Sequence, residues 1–153
     1  MKHILAAIDF SQLSTSVARQ AASIAAKFSA KLTLVHIAAP DPGFIGYDPG
    51  PQVERDGRAG ELRSEHRQLQ ELADLIQKDD VPAQALLVQG STVEGIITQA
   101  KKLDANLIVI GSHGKGVLSS IILGSVSEGV LRQSSCPVLV IPAKAADSSS
   151  MAD

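Results

Sequence analysis

The sequence predicts an α/β fold, a doubly wound, five-stranded parallel sheet with helices on both faces. Short apolar runs alternate along the chain with longer segments of helical periodicity, as in domains built from β-α-β units. The links between them are short, which implies right-handed crossovers and parallel strands. If the first three strands wind one way and the last two the other, the order is 3-2-1-4-5. Strands 1 and 4 are then neighbours, so that Asp9 lies beside Gly111 at the switch point of the sheet.

Size and composition are those of one globular domain. Of the 153 residues, 44% are hydrophobic and 20% are charged, with a formal net charge of -2. Aromatic residues make up 3% and tryptophan is absent, which argues against nucleic acid as the main partner. The single cysteine, Cys136, excludes an internal disulfide, and no apolar run approaches the ~20 residues that span a bilayer. We therefore expect a cytoplasmic protein without membrane insertion.

The first strand is predicted over residues 2–9 and ends at Asp9. Either Ser11 or Ser14 can cap the helix that follows, which spans about residues 12–28. The second strand covers residues 32–37. The apolar side of the first helix consists of Val17, Ala21, Ile24 and Phe28.

Residues 38–53 interrupt this alternation. Four of the seven prolines fall here, together with Phe44 and Tyr47. A loop of this length in a compact domain is usually functional or mobile. It could fold over a ligand, pack on a partner subunit or be a loosely ordered connection, and these interpretations stay open.

The second half of the chain resumes the alternation. A long surface helix is predicted over residues 54–78, a third strand over 85–88, a fourth over 105–110 and a fifth over 138–141. The segment Ser91-Thr92-Val93-Glu94 has the form of a capping box and starts the helix before the fourth strand. Residues 143–153 are small and polar, and we expect a disordered tail there, beyond a domain of residues 1–142.

A glycine-rich stretch, Gly111-Ser112-His113-Gly114-Lys115-Gly116, follows the fourth strand and leads to Gly124-Ser125 at a helix start. Glycines let a ligand approach main-chain N–H groups closely, and successive N–H groups form an anion-binding nest. The helix start adds unpaired N–H groups and the positive end of the helix dipole. These features favour a phosphate ligand, and a glycine-rich turn without a ligand is the alternative. Neither the Walker pattern nor the Gly-x-Gly-x-x-Gly dinucleotide pattern is present.

The spacing Gly111, two residues, Gly114, nine residues, Gly124-Ser125 resembles the nucleotide motif of the universal stress protein family, in its ATP-binding branch. The similarity extends over essentially Met1 to Pro142. It includes the opening at residues 4–11, the second strand ending Val35-His36-Ile37, and the closing run at residues 136–142.

The resemblance implies that Asp9 and the main chain near it hold adenine and ribose, and that the glycines with Ser125 hold ribose and phosphates. Asp9 has an alternative role as the cap of the first helix. His113 is either an orienting donor or a general base, and Lys115 either contacts phosphate or is solvated. The predicted nucleotide-binding residues are Ala7, Ile8, Asp9, Ile37, Ile110, Gly111, His113, Gly114, Gly124, Ser125, Val126 and Ser127. Any magnesium ion would be held by the phosphates and water, so no residue is assigned as a metal ligand.

These observations favour an ATP-binding, dimeric regulator or sensor of stress that acts on another protein. One alternative is a slow ATP hydrolase or autophosphorylating enzyme, although the sequence predicts no base–nucleophile pair near the glycines and no residue is assigned as catalytic. A second alternative is a dimeric scaffold that binds no nucleotide. The run Val138–Ile141 is an uncharged edge strand in the predicted order, and we expect it to pair with its copy in a homodimer, as the resemblance also implies.

Overall fold

The computed structural model of the protein describes residues 1–40, 52–113 and 123–143. Strands and helices alternate along these residues, as predicted. The elements are β1 (His3–Ala7), α1 (Ser14–Phe28), β2 (Lys31–Ala38), α2 (Gln52–Gln77), β3 (Ala83–Gln89), α3 (Thr92–Lys102), β4 (Leu107–Gly111), α4 (Ser125–Gln133) and β5 (Val138–Ile141). The predicted tail and most of the proline-rich segment lie outside the described residues.

The five strands form one parallel sheet in the order β3-β2-β1-β4-β5, which confirms the predicted topology. β1 lies in the middle, where Ile4 pairs with Leu32 of β2 on one side and with Leu107 of β4 on the other. The winding of the chain reverses between β1 and β4. The carboxyl ends of these two strands therefore border the crevice at which such sheets bind ligands.

Each face of the sheet is covered by two helices, because alternate residues of every strand point to opposite faces. Helices α1 and α2 pack on one face over a core that contains Ile4, Leu34 and Leu69. Helices α3 and α4 pack on the other face, over a core that contains Leu5 and Ile108. Burial on both faces explains why the central strands read as continuous apolar runs rather than as alternating ones.

Two glycines bring α3 close to its neighbours. A Cβ on Gly95 in α3 would lie 2.8 Å from Cδ1 of Ile37 in β2. A Cβ on Gly129 in α4 would lie 2.8 Å from Cγ2 of Val93 in α3. Both contacts are shorter than a Cβ tolerates, so α3 can lie this close to the sheet and to α4 only because a side chain is missing at each position.

Some local predictions were wrong. Ser91 is the N-cap of α3, but its side chain makes no capping hydrogen bond, so the capping box does not form. The N-cap of α1 is Leu13 rather than Ser11 or Ser14, because the chain between β1 and α1 is organised by a different side chain, described below. Phe28 ends α1 beyond its last buried residue, and its side chain is 54% exposed instead of belonging to the apolar side.

Candidate functional site

A crevice of about 320 Å³ opens at the carboxyl ends of the central strands. Every predicted nucleotide-binding residue that the structure describes lines it, and these residues come from distant parts of the sequence. The lining comprises Ala7, Ile8, Asp9, Leu13, Val17, Val35, His36, Ile37, Thr92, Ile96, Ile110, Gly111, His113, Gly124, Ser125, Val126 and Ser127. Gly114 and Lys115 lie outside the described residues.

The turn after β1 is held by Asp9. Its Oδ1 accepts hydrogen bonds from the N–H of Ser11 at 2.9 Å and from the hydroxyl of Ser14 at 3.1 Å. The residue between, Phe10, has a positive φ of 59°, which is uncommon for a residue with a side chain. Asp9 therefore stabilises the turn that leads to α1, although it is not the cap of that helix, and its half-buried side chain also lines the crevice.

The opposite wall is the junction of β4 with α4, where Ser127 joins the two. The Ser127 hydroxyl is 2.7 Å from the carbonyl oxygen of Gly111 and 3.2 Å from that of Ser112. A hydroxyl carries one hydrogen, so that hydrogen is directed at the end of β4. What Ser127 presents to the crevice is chiefly its main chain, at the start of a helix whose first N–H groups have no partner within the helix.

Gly124 is the N-cap of α4 and makes no side-chain capping bond, which leaves the helix start open. The space beside its Cα is filled by the protein. A Cβ there would lie 3.1 Å from Cα of His113 and 3.2 Å from the carbonyl oxygen of Ser112. The N–H of Gly124 also donates to that oxygen at 2.7 Å. Gly124 is thus required for the close approach of two chain segments, whether or not a ligand is bound nearby.

Gly111 is enclosed on the α1 side. A Cβ on Gly111 would lie 3.2 Å from Cδ1 of Leu13, which precedes α1 and also lines the crevice. The end of β4 and the residue before α1 are therefore in close contact within the lining of the crevice.

His113 and Ser112 form a contact that the sequence did not predict. The hydroxyl oxygen of Ser112 lies 3.1 Å from Nδ1 of His113, within hydrogen-bonding distance. A hydroxyl beside an imidazole is the minimal arrangement of a nucleophile with a base. No pair of this kind is recognisable near the glycines in the sequence, and the contact is seen only in the structure.

Sequence reasoning missed several residues of the crevice. Thr92 begins α3 at the same edge of the sheet, and His36 is a polar residue near the end of an apolar strand. Both could have been found from their positions in the sequence. The carboxyl ends of parallel strands lie at one edge of the sheet, and so do the starts of the helices that follow them. The remaining members are apolar, namely Leu13, Val17, Val35 and Ile96.

The electrostatic character of the crevice comes from main chain more than from side chains. Its described lining contains Asp9, His36 and His113 as ionisable groups and no lysine or arginine. An anion bound there would be attracted by the N–H groups and dipole of α4. Apolar side chains form much of the remaining wall, as in sites that hold a ring system.

A model of the universal stress protein family matches residues 1–142 of the sequence. The chain belongs to this family. A universal stress protein of Thermus aquaticus is 34% identical over 143 residues, which cover 92% of this chain and 98% of the relative.

Solved structures of universal stress proteins share the fold. A family member from Burkholderia pseudomallei is 30% identical with a TM-score of 0.68, and the match covers 93% of this chain and 96% of that one. A universal stress protein in complex with cAMP is 25% identical with a TM-score of 0.63, and the match covers 92% and 96% of the two chains.

Within the three described ranges, no group of three or more histidine, cysteine, aspartate or glutamate side chains is arranged to hold a metal ion. None of the helices in those ranges combines the length and apolar character that crossing a bilayer requires.

Proposed function

We propose that this universal stress protein binds ATP in the crevice. It acts as a cytoplasmic sensor or regulator whose effect on another protein depends on whether nucleotide is bound. The observation that carries the proposal is the convergence at the crevice. The residues that the family resemblance predicts, at positions as distant as Ala7 and Ser127, line one pocket at the switch point of the sheet. The structure in complex with cAMP, 25% identical to this chain, supports an adenine nucleotide as the ligand class.

The chemistry of the lining suits the parts of such a ligand. The carboxylate of Asp9 lines the crevice and can accept a hydrogen bond from a ribose hydroxyl, because its two oxygens have acceptor sites beyond those used by Ser11 and Ser14. The main chain of Ser125, Val126 and Ser127 offers N–H donors for phosphate at the start of α4. Ile37 and Ile96 offer apolar surface for the base. A magnesium ion bound with the phosphates would complete its coordination with water.

Calorimetry with ATP, AMP and cAMP tests the proposal. In Asp9→Asn the side-chain oxygen can still accept from Ser11 and Ser14, while the charge is lost. We expect ATP to bind this variant about 10- to 100-fold more weakly, the equivalent of one charge-assisted hydrogen bond. Ser14→Ala is the matched control, since it removes one bond to Asp9 and leaves the carboxylate, and should bind ATP nearly as the wild type does. A wild-type dissociation constant weaker than about 1 mM for all three nucleotides would refute nucleotide binding.

Autophosphorylation is a second candidate function, favoured by the contact between Ser112 and His113. If the Ser112 hydroxyl donates to Nδ1, the imidazole can take that proton while the oxygen attacks the terminal phosphorus of ATP, and ADP leaves. The product would be phosphoserine at position 112. Mass spectrometry after incubation with ATP and magnesium tests this, with Ser112→Ala and His113→Gln as controls. Absence of a phosphorylated peptide containing Ser112 in the wild type would exclude this candidate.

We further propose that the protein is a homodimer in which β5 pairs with its copy. β5 is an edge strand, and it is bonded to β4 through the carbonyl oxygens of Pro137 and Ile141. Because main-chain groups alternate along a strand, those of Val138 and Val140 point to the free edge. Val140→Pro removes a donor from that edge without removing a bond to β4. We expect a monomer mass for this variant and a dimer mass for the wild type by light scattering.

A further inference from the structure

The imidazole of His36 connects three elements around the crevice. His36 lies in β2, and its Nδ1 is 2.7 Å from the carbonyl oxygen of Ile8, just after β1. Its ring also contacts the ring of Phe10, with centroids 4.6 Å apart and planes tilted by 49°. On the far side, Nε2 lies 3.6 Å from Oε2 of Glu65 in α2.

The first contact fixes one proton on the ring. A carbonyl oxygen only accepts hydrogen bonds, so Nδ1 of His36 must carry a hydrogen and donate it. Register pairing between β1 and β2 ends at Ala7 and Val35, and the N–H of Ile8 donates to the carbonyl of Val35 at 2.8 Å. The N–H of Ile8 is thus bound by the main chain of β2. The carbonyl oxygen of Ile8 lies beyond the last paired residues of the two strands and is bound by the His36 imidazole instead.

The turn that follows carries Asp9. It passes through Phe10 in a left-handed conformation, which is costly for a residue with a Cβ and persists only where neighbouring contacts enforce it. His36 supplies two such contacts, one at the carbonyl of Ile8 and one at the ring of Phe10. Asp9 lies between these two points.

Glu65 faces the remaining nitrogen. The His36 and Glu65 side chains are 12% and 29% exposed, respectively, and Oε2 of Glu65 is buried with no hydrogen-bond partner among the described residues. Because Nδ1 already carries a hydrogen, Nε2 attracts this carboxylate only when it carries one too, in the imidazolium form. The 3.6 Å contact is then an ion pair, and it favours a ring orientation with Nε2 directed at Glu65. This is the same orientation that directs Nδ1 at Ile8.

We propose that His36 is a positioning residue of the nucleotide site, which fixes the turn bearing Asp9 and is itself oriented by Glu65 of α2. This inference rests on the proposed nucleotide binding. Within the described residues α2 does not line the crevice, so the inference assigns to α2 an indirect effect on the affinity for nucleotide.

Two amide substitutions separate the two nitrogens of the ring. The amide nitrogen of asparagine is separated from Cα by the same number of bonds as Nδ1 of histidine. The amide nitrogen of glutamine is separated from Cα by the same number of bonds as Nε2. His36→Asn can therefore still donate to Ile8, whereas His36→Gln can reach Glu65 but not Ile8. His36→Phe retains a ring beside Phe10 and neither nitrogen.

We expect calorimetry to show ATP binding to His36→Asn within about threefold of the wild type, and about tenfold weaker binding to His36→Gln and His36→Phe. Glu65→Gln should weaken binding by about threefold. His66→Gln, on the exposed side of α2, is the matched control and should bind as the wild type does. The melting temperatures of all variants are measured alongside, and a loss of affinity that follows melting temperature instead of the identity of the amide would overturn the proposal.

A second measurement needs no ligand. In protein labelled with ¹⁵N-histidine, His36 should show a hydrogen on Nδ1 that exchanges slowly with water, and a ring without one would overturn the inference. If the wild type binds none of the nucleotides, this proposal and the proposed function are both wrong. If the wild type binds ATP and the asparagine and glutamine variants bind it equally, only the positioning role of His36 is wrong.

Discussion

Gly124 and His113 touch main chain to main chain, since a Cβ on the glycine would lie 3.1 Å from the Cα of the histidine. The contact closes the junction of β4 and α4, on the side of the crevice where phosphate is proposed to bind. A glycine in this family motif is easily taken as making space for a ligand. In this chain the space at Gly124 is taken up by the chain itself.

Substitution of Gly124 is therefore expected to affect the fold and the site together. Gly124→Ala forces a shift of a few tenths of an ångström in residues 112 and 113, and Gly124→Val a larger one. Overpacking of this kind costs about 1–3 kcal/mol, with valine at the upper end. Chemical denaturation and ATP calorimetry on the same samples check this. A Gly124→Val variant of unchanged stability that has lost only ATP affinity would show that the ligand, and not the chain, occupies the space.

Gly95 and Gly129 provide a matched pair of substitutions. Each would place a Cβ 2.8 Å from an aliphatic carbon, but the partner of Gly95 is Ile37, which lines the crevice, and the partner of Gly129 is Val93, which does not. We expect Gly95→Ala to displace Ile37 into the crevice and to weaken ATP binding about tenfold, since the misfit is worth ~1–3 kcal/mol. Gly129→Ala should cost similar stability with little change in affinity. Equal affinities of the two variants would contradict the assignment of Ile37 to the site.

Gly57 offers a stabilising substitution. It lies inside α2, and a Cβ there would have no atom within 4 Å. Gly57→Ala should raise the free energy of unfolding by about 1 kcal/mol, the difference in helix propensity between the two residues. Gly90 has equally open surroundings but a φ of 147°. Gly90→Ala should therefore destabilise the protein. Urea denaturation of both variants distinguishes an effect of helix propensity, which only Gly57→Ala would show, from an effect of filling open space, which both would show.

His3 makes stability depend on pH. Its Nε2 lies 2.8 Å from Oγ1 of Thr33, a fully buried hydroxyl that also accepts from Nε2 of Gln84 at 2.9 Å. Burial lowers the pKa of His3 below its usual 6.5, the charge of Lys31 lowers it further, and a backbone hydrogen bond to Leu103 partly opposes the shift. Between the lowered pKa and 6.5 the unfolded chain binds a proton that the folded chain does not.

Stability should consequently fall as pH drops below about 6.5, and this contribution should stop changing once pH is below the folded-state pKa. In His3→Gln, which does not titrate, denaturation curves should lose this part of the pH dependence. Lys31→Gln should reduce it, because the second cause of the shift is gone. A His3→Gln variant with the same pH profile as the wild type would show that His3 is not its source.

The sheet order and the position of the crevice followed from the sequence because they depend on periodicity and on one topological rule. Apolar runs mark buried parallel strands, and their carboxyl ends must share an edge, so Asp9 and Gly111 could be placed together without coordinates. The ends of elements were less certain. β1 stops at Ala7 because the turn fastened by Asp9 begins there, and no periodicity marks that change.

The contacts that refine the site were not accessible in the same way. A glycine looks the same in a sequence whether a ligand or the chain fills the space beside it, as Gly124 demonstrates. The bond from His36 to Ile8 joins residues 28 positions apart, and that to Glu65 depends on how α2 is seated over the sheet. Distances of this kind are set by packing and not by local pattern.

The crevice is lined by the end of β1 and the turn after it, by the start of α1, by β2, by the first half of α3 and by the junction of β4 and α4. Both hydrophobic layers contribute to it, through Val17 on one side and Ile96 on the other. No partly folded form that lacks one layer can therefore present the complete pocket. A nucleotide that binds there binds only the native state, so each tenfold excess over its dissociation constant adds about 1.4 kcal/mol to the free energy of unfolding. If ATP binds there as proposed, a higher nucleotide concentration would lower the population of the unfolded chain and slow its cleavage by proteases.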